Sequence, residues 1–153
     1  MYHSIVQRKL TQNFDNLNKG NYEPVVMQFG PAPLHIFAGD LALGGERHSR
    51  ASVREWYARL FRIFPGIRFA VRNIVIQGWP WRTAIAIQFQ VSTTLEDGSA
   101  YSNEVAQFIR LEWGRIVYME LYEDTQKLRD ALHIQSVAGI VEAQAAPILD
   151  SPA

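Results

Sequence analysis

Trp79-Pro80-Trp81, Glu96-Asp97-Gly98, Glu112-Trp113-Gly114-Arg115 and Tyr122-Glu123-Asp124-Thr125-Gln126-Lys127-Leu128 punctuate the stretch from Trp79 to Leu132, and their reading decides the fold. Between them lie three runs rich in β-branched and aromatic residues, Arg82 to Thr94, Tyr101 to Leu111 and Ile116 to Tyr122. Ile67 to Ile76 adds a fourth run upstream, and turns at Gly78, Gly98 and Gly114 imply hairpin connections throughout. A helix start follows the last run. The expected product is a curved antiparallel meander closed by a helix. A long bent sheet wrapped around helices leaves a conical apolar cavity, and concave apolar cavities with a few polar groups are where small molecules bind.

Working upstream, Ser52-Val53-Arg54-Glu55 reads as a capping box, with the serine bonding an orphan N–H and the glutamate reaching back. Val53, Trp56, Tyr57, Leu60, Phe61 and Phe64 then form one apolar stripe, and Pro65-Gly66 ends a helix over 52–64. Its expected place is the floor of the cavity. Val6, Leu10, Phe14 and Leu17 mark a first helix that stops before Lys19-Gly20-Asn21. Tyr22-Glu23-Pro24 opens a short second helix, closed by Phe29-Gly30-Pro31. Leu34 to Ala38 is a brief β-like run before a loop, Gly39 to Gly45. Helices first and a meander afterwards define an α+β fold.

Composition bounds the rest. The 153 residues are enough for one domain with a real core, and 48% hydrophobic against 20% charged residues excludes a disordered chain. Fifteen basic residues balance fifteen acidic ones, so no positive field concentrates nucleic acid or an anionic membrane. The arginines from Arg47 to Arg72 are interrupted by Glu46 and Glu55 and read as a solvated face. The absence of cysteine removes disulfides and thiolate chemistry together. No apolar segment approaches membrane-spanning length, so a soluble cytoplasmic protein is expected. His3, His48 and His133 lack metal-ligand spacing, and neither a metal nor a cofactor is expected. The alanine-rich end, Ile134 to Ala153, reads as a partial helical extension with mobile final residues.

The ordered set of Gly78-Trp79-Pro80-Trp81-Arg82, Asp97-Gly98-Ser99-Ala100-Tyr101-Ser102-Asn103-Glu104, Arg110 to Val117 and Tyr122 to Thr125 resembles the SnoaL-like group. His35-Ile36-Phe37-Ala38-Gly39 and Gly45 to Arg50 resemble it too, so the resemblance spans roughly residues 5 to 132. That group belongs to the nuclear transport factor 2-like superfamily, together with ketosteroid isomerases and limonene-epoxide hydrolases. The resemblance implies a cone-shaped, strongly curved, antiparallel or mixed sheet around three N-terminal helices, with homodimers through the outer sheet face. It also implies a domain over residues 1–132, followed by a C-terminal extension over 133–153. The superfamily holds cyclases, isomerases, hydrolases, dehydratases and non-catalytic binders, so fold alone assigns no activity.

Residue by residue, the known catalytic sets are incomplete. Counting back from Trp56-Tyr57 places Asp40 where an isomerase base would stand, although an aspartate beside Gly39 is also a turn former. The oxyanion-hole positions fall near Asn13 and near Val105 or Ala106, which lack the required groups. The hydrolase Arg-x-Asp pair maps near Gln88-Phe89-Gln90 and its second aspartate near Leu121; glutamine cannot accept a proton at neutral pH.

His35 matches a histidine of the SnoaL-like pattern and stands as either a proton-exchanging group or a core imidazole. Glu123 and Asp124 point to opposite faces, so Asp124 can cap the last helix while Glu123 enters the cavity with a raised pKa. Should the strand twist away, the roles reverse. Trp56, Leu60 and Phe64 from the helix, Gln88, Gln90, Asn103, Val105 and Leu121 from the strands, and Trp79 and Trp81 at the rim are the expected ligand contacts. Two functions remain: an acid–base enzyme on a small hydrophobic carbonyl compound with His35, Glu123, Asp40 or Asp124 transferring the proton, and a catalytically silent ligand-binding or dimerisation module.

Overall fold

The computed structural model describes residues 1–150. Helix α1 (Tyr2–Asn18) buries Val6, Leu10, Asn13, Phe14 and Leu17 on one face and ends where Gly20 takes φ +74°. Helix α2 is a single turn (Glu23–Val26) with Pro24 in its first turn. Strand β1 (Phe29–Phe37) begins almost at once, so Phe29-Gly30-Pro31 opens a strand instead of closing a helix. Pro31 and Pro33 are tolerated there because the pairing register breaks between Phe29 and Leu34. The last residue of the loop read over Gly39 to Gly45 already opens β2 (Gly45–Arg47), which pairs antiparallel with β1 and sets His35 opposite Arg47.

Helix α3 runs Arg50–Ile63, starting two residues earlier than expected. Its cap is Ser49, whose hydroxyl accepts from Ser52 N at 3.1 Å, and Ser52 turns back to donate to Ser49 O at 2.9 Å. The capping signal was therefore read three residues late. The apolar stripe lies as expected: Val53, Trp56, Tyr57, Leu60 and Ile63 are buried.

Strands β3 (Arg68–Trp79), β4 (Arg82–Thr94), β5 (Ala100–Glu112) and β6 (Arg115–Glu123) form the antiparallel meander. The first turn of the meander is Pro80-Trp81, not Gly78, which lies within β3. Strand β1 joins β6 in parallel, giving an open, mixed, six-stranded sheet in the order β2-β1-β6-β5-β4-β3. Register shifts in β3–β4 and β5–β6 bend the strands around α1 and α3. This is the α+β, cone-like sheet expected.

Helix α4 (Thr125–Val137) runs across the boundary expected at 132, and a 3-10 turn follows at Val141–Gln144. The chain then lies back over α3. Glu142 accepts from Arg59 at 3.1 Å and Arg62 at 2.6 Å, and the Asp150 carboxylate accepts from His48 N at 2.6 Å and the Ser52 hydroxyl at 2.7 Å. Gln135 and Ala143 are buried, so this segment shares the core of the domain. The expectation of mobile final residues falls partly on 151–153, outside the described residues. Among the described residues no helix is long and apolar enough to cross a membrane.

Candidate functional site

Strand alternation decides which polar groups enter the interior. Ile85, Ile87, Phe89 and Val91 of β4 are buried, and Val91 stands opposite Asn103. Tyr101, Asn103, Val105, Gln107 and Ile109 of β5 therefore face inward, as do Met119 and Leu121 of β6. Gln88 and Gln90 face outward, against expectation. Four apolar positions at the odd numbers outweigh two amides at the even ones, and a period of two leaves no compromise.

The inward faces of the sheet and of α1 and α3 enclose two small adjoining voids of about 50 and about 40 Å³. Trp56, Leu60, Phe69, Phe89 and Leu121 line both. The second is completed by Phe64, Val105, Tyr101 and Glu123. Trp56, Leu60, Phe64, Val105 and Leu121 are thus brought together as expected. The space admits a few atoms, and a larger guest must displace side chains.

At one end lies a polar cluster. Glu123 is partly buried where β6 terminates, opposite Val105 on β5. Its Oε1 accepts a long hydrogen bond, 3.5 Å, from the Tyr101 hydroxyl, which accepts from the Asn103 amide at 3.1 Å. Asn103 is held in turn by Asp124 O at 2.9 Å, and Tyr101 stacks on Phe64 with ring centroids 5.4 Å apart. Burial pushes the Glu123 carboxyl up to about 7, Tyr101 pulls it back, and Asp124 adds to the rise. Glu123 also borders the groove on the outer sheet face, so it lines both the second void and an open surface groove. Asn103 and Glu123 converge; Tyr101 was missed, although its spacing of two from Asn103 was the available signal.

Asp124 faces solvent. Its Oδ1 accepts from Gln126 N at 3.0 Å and Lys127 N at 3.2 Å, capping α4. Asp40 is exposed in the loop after β1 and reaches neither void. Trp79 and Trp81 are not at the cavity rim: they stack 5.9 Å apart at the β3–β4 tip, 64% and 55% exposed, beside Trp113 at the neighbouring tip. The long β3 and β4 carry that turn beyond the interior.

His35 is wholly buried, with its ring 4.7 Å from Trp56 and 6.3 Å from Tyr57. Its Nδ1 accepts from Arg47 Nε at 2.9 Å. A guanidinium has no lone pair to offer, so Nδ1 must be unprotonated and the ring proton sits on Nε2. Burial, and then the Arg47 charge, hold His35 well below its ordinary pKa. Of the two alternatives, this setting is that of a core imidazole held neutral by Arg47, and among the described residues its Nε2–H has no partner.

Arg47 is itself buried, not solvated as its place in the basic stretch suggested, and it donates to Gly44 O, Gly45 O and Ile148 O, each at 2.9 Å. Burial lowers its pKa to about 10, which leaves it cationic at neutral pH. The glycines matter: a Cβ on Gly44 would meet Gly39 O at 1.8 Å, so only glycine permits this turn.

Deeper in the interior, Gln107 Nε2 donates to Met119 Sδ at 3.2 Å and the Tyr57 hydroxyl approaches the same sulfur at 3.8 Å. Asn13 and Gln28 instead satisfy each other through two amide bonds, 3.0 and 2.7 Å. The β5 and β6 pairing sets Gln107 opposite Leu121, and Met119 lies beside His35 across the parallel β1–β6 pair. Gln107 is not among the contacts expected from the sequence, and Tyr57 is expected there only as part of the apolar stripe.

The model of the family described as "SnoaL-like domain" matches residues 11–119. Among solved structures, the chain resembles a protein assigned as a SnoaL-like polyketide cyclase from Jannaschia sp. CCS1, with 16% identity, TM-score 0.63, and 81% of this chain and 88% of that one covered. It also resembles an NTF2-like protein of unknown function from Burkholderia pseudomallei K96243, with 17% identity, TM-score 0.67, and 82% and 95% covered. A third likeness is to TerC co-crystallized with polyporic acid, with 19% identity, TM-score 0.65, and 80% and 93% covered. None of the curated proteins matches the chain.

Proposed function

The chain belongs to the SnoaL-like domain family, and on that premise we propose that it binds a small, largely apolar organic molecule in the cone and that Glu123 transfers a proton to and from it. The observation that carries the reading is one carboxyl, with a pKa of about 7, at the end of a largely apolar interior and hydrogen-bonded to Tyr101. A group poised near the working pH is suited to general acid–base work. As a carboxylate, Glu123 takes a proton from a carbon next to a carbonyl, leaving an enolate. As a carboxylic acid it returns that proton to a second atom, so one bond to hydrogen breaks and one forms, with no net oxidation.

The co-crystal of TerC with polyporic acid and the polyketide-cyclase assignment of the Jannaschia protein support a cyclic carbonyl compound as the ligand class. Deuterium incorporation from D2O into a panel of mono- to tetracyclic ketones tests the reading. Incorporation is expected to rise with pH through about 7 and to drop in Glu123→Gln. Equal incorporation with both proteins, neither above background, removes the acid–base role.

A second reading is favoured by the deep end of the cavity, where amides, a thioether, aliphatic side chains and a Tyr57 hydroxyl held protonated by burial offer no group that exchanges protons near neutral pH: a silent ligand-binding module. Ligand retention without exchange is its signature. In either case the outer sheet face, with Val75 56%, Phe108 45% and Tyr122 46% exposed, is inferred to pair with a second copy.

A further inference from the structure

Three of the chain's four tryptophans stand in water at one end of the sheet, Trp79 and Trp81 at the β3–β4 tip and Trp113, 73% exposed, at the β5–β6 tip. The two tips form one unit: Trp113 N donates to Pro80 O at 2.7 Å, and the Trp81 and Trp113 rings lie 6.3 Å apart. The scaffold below is braced, with His3 Nε2 at 2.8 Å from Gly78 O and the Thr83 hydroxyl donating to Trp79 O at 2.9 Å. Local preference does not account for Trp113. Trp113-Gly114 makes a two-residue turn with φ at +50° and +78°, where asparagine before glycine fits well and a bulky side chain is strained. Three indoles held in water on a rigid tip, one of them at a backbone cost, are a surface made for contact.

The charge around the tips selects the partner. Arg82 stands opposite Trp79 across the first turn, and Arg115 opposite Glu112 across the second. Glu112 is engaged by Arg110 at 3.7 Å, and among the described residues neither Arg82 nor Arg115 forms a salt bridge. The chain's balanced charge implies no long-range pull toward an anionic surface, but this tip is locally cationic. A second copy meeting it through a two-fold axis would set arginine against arginine. A sugar needs acceptors as well as donors, and the Glu112 carboxylate is already taken. Indoles beside arginines suit the headgroup layer of a bilayer, where the ring reaches the upper acyl chains and the guanidinium meets phosphate. We propose that the tip carrying Trp79, Trp81 and Trp113 docks the protein on an anionic membrane surface, with Arg82 and Arg115 on the lipid phosphates. The contact is interfacial, and the sheet stays closed over its core.

Co-sedimentation with vesicles of phosphatidylcholine, with and without about one third phosphatidylserine, is the test. Wild type is expected to bind the anionic vesicles, its tryptophan emission moving to shorter wavelength and being quenched by lipids brominated in the upper acyl chain. Raising salt from about 0.1 to about 0.5 M should weaken that binding. Trp81→Ser combined with Trp113→Asn should weaken it about tenfold or more, from the indole area withdrawn. Arg82→Gln and Arg115→Gln should each weaken it about fivefold on anionic vesicles and hardly change it on phosphatidylcholine alone. Asn-Gly suits the turn, so Trp113→Asn alone should melt no lower than wild type while binding vesicles less, which separates docking from folding. No binding to the anionic vesicles, or binding that every tip variant leaves unchanged, overturns the proposal. Tryptophan quenching by chitohexaose without vesicle binding would overturn it in favour of a sugar, and a dimer lost in Trp81→Ser without vesicle binding would overturn it in favour of a second copy.

Discussion

Replacing Glu123 by glutamine should make the protein more stable above neutral pH and hardly change it in acid. Burial raises the carboxyl from its ordinary 4.5 to about 7, so the folded state holds the proton more tightly than the unfolded chain does. The sign follows: wild type gains this contribution in full below about pH 4.5 and loses it as pH rises through about 7. At 1.36 kcal/mol for each pH unit between the two values, the ionised carboxylate costs about 3 kcal/mol at pH 8. Glutamine keeps the size and the acceptor for Tyr101 but has no charge to desolvate. Urea denaturation of both proteins at pH 4 and pH 8 should show a stability difference that changes by about 2 to 3 kcal/mol in favour of Glu123→Gln, or about 4 to 12 °C in melting temperature for a chain of this length. A difference that stays constant across this range would mean that Glu123 is solvated, and the argument for its role as a proton carrier would fail with it.

Asp124→Ala should cost about 1 kcal/mol by thermal melting, because the carboxylate caps two N–H groups of α4; an unchanged melting temperature contradicts the cap. Nitrogen-15 spectra of His35 should show one neutral tautomer, protonated at Nε2, with no titration between pH 5 and 8, whereas a midpoint near 6.5 would restore it as a proton-exchanging group. Sedimentation at micromolar concentration should give a dimer for wild type and a monomer for Phe108→Lys, since a charge at the centre of the exposed apolar sheet face opposes a second copy; a monomeric wild type refutes the pairing.

The fold was legible where local and tertiary preferences agree. Hairpin turns, β-branched runs and the aromatic stripe of α3 all point to one answer, and β4 lies at its expected limits. The misreadings arose where a distant contact decides. The start of α3 is fixed by Ser49 with Asp150 beside it, about a hundred residues away in sequence, so a local capping pattern three residues later was misleading. β2 is three residues long and exists because β1 offers it an edge. In the site, Glu123 and Asn103 were readable from strand alternation, but Gln88 and Gln90 required the register Val91↔Asn103. The buried state of Arg47 lay beyond any local pattern, because carbonyls of Gly44, Gly45 and Ile148 hold it.

Under the proposed function, the acid–base candidates drawn from the sequence do not stand alike. His35 is neutral and locked by Arg47, Asp40 is exposed, and Asp124 is engaged with α4. Glu123 alone, of the acid–base candidates drawn from the sequence, stands near neutrality at the interior. Reactions that need a separate acid and base acting together, such as opening an epoxide with activated water, require two groups whose environments push their pKa values apart. A site with one such group favours reactions in which the same proton leaves and returns, as in a double-bond shift or an enolate-driven ring closure. Glu123 would then carry the proton in both directions, so its titration is the property on which the proposed function stands or falls.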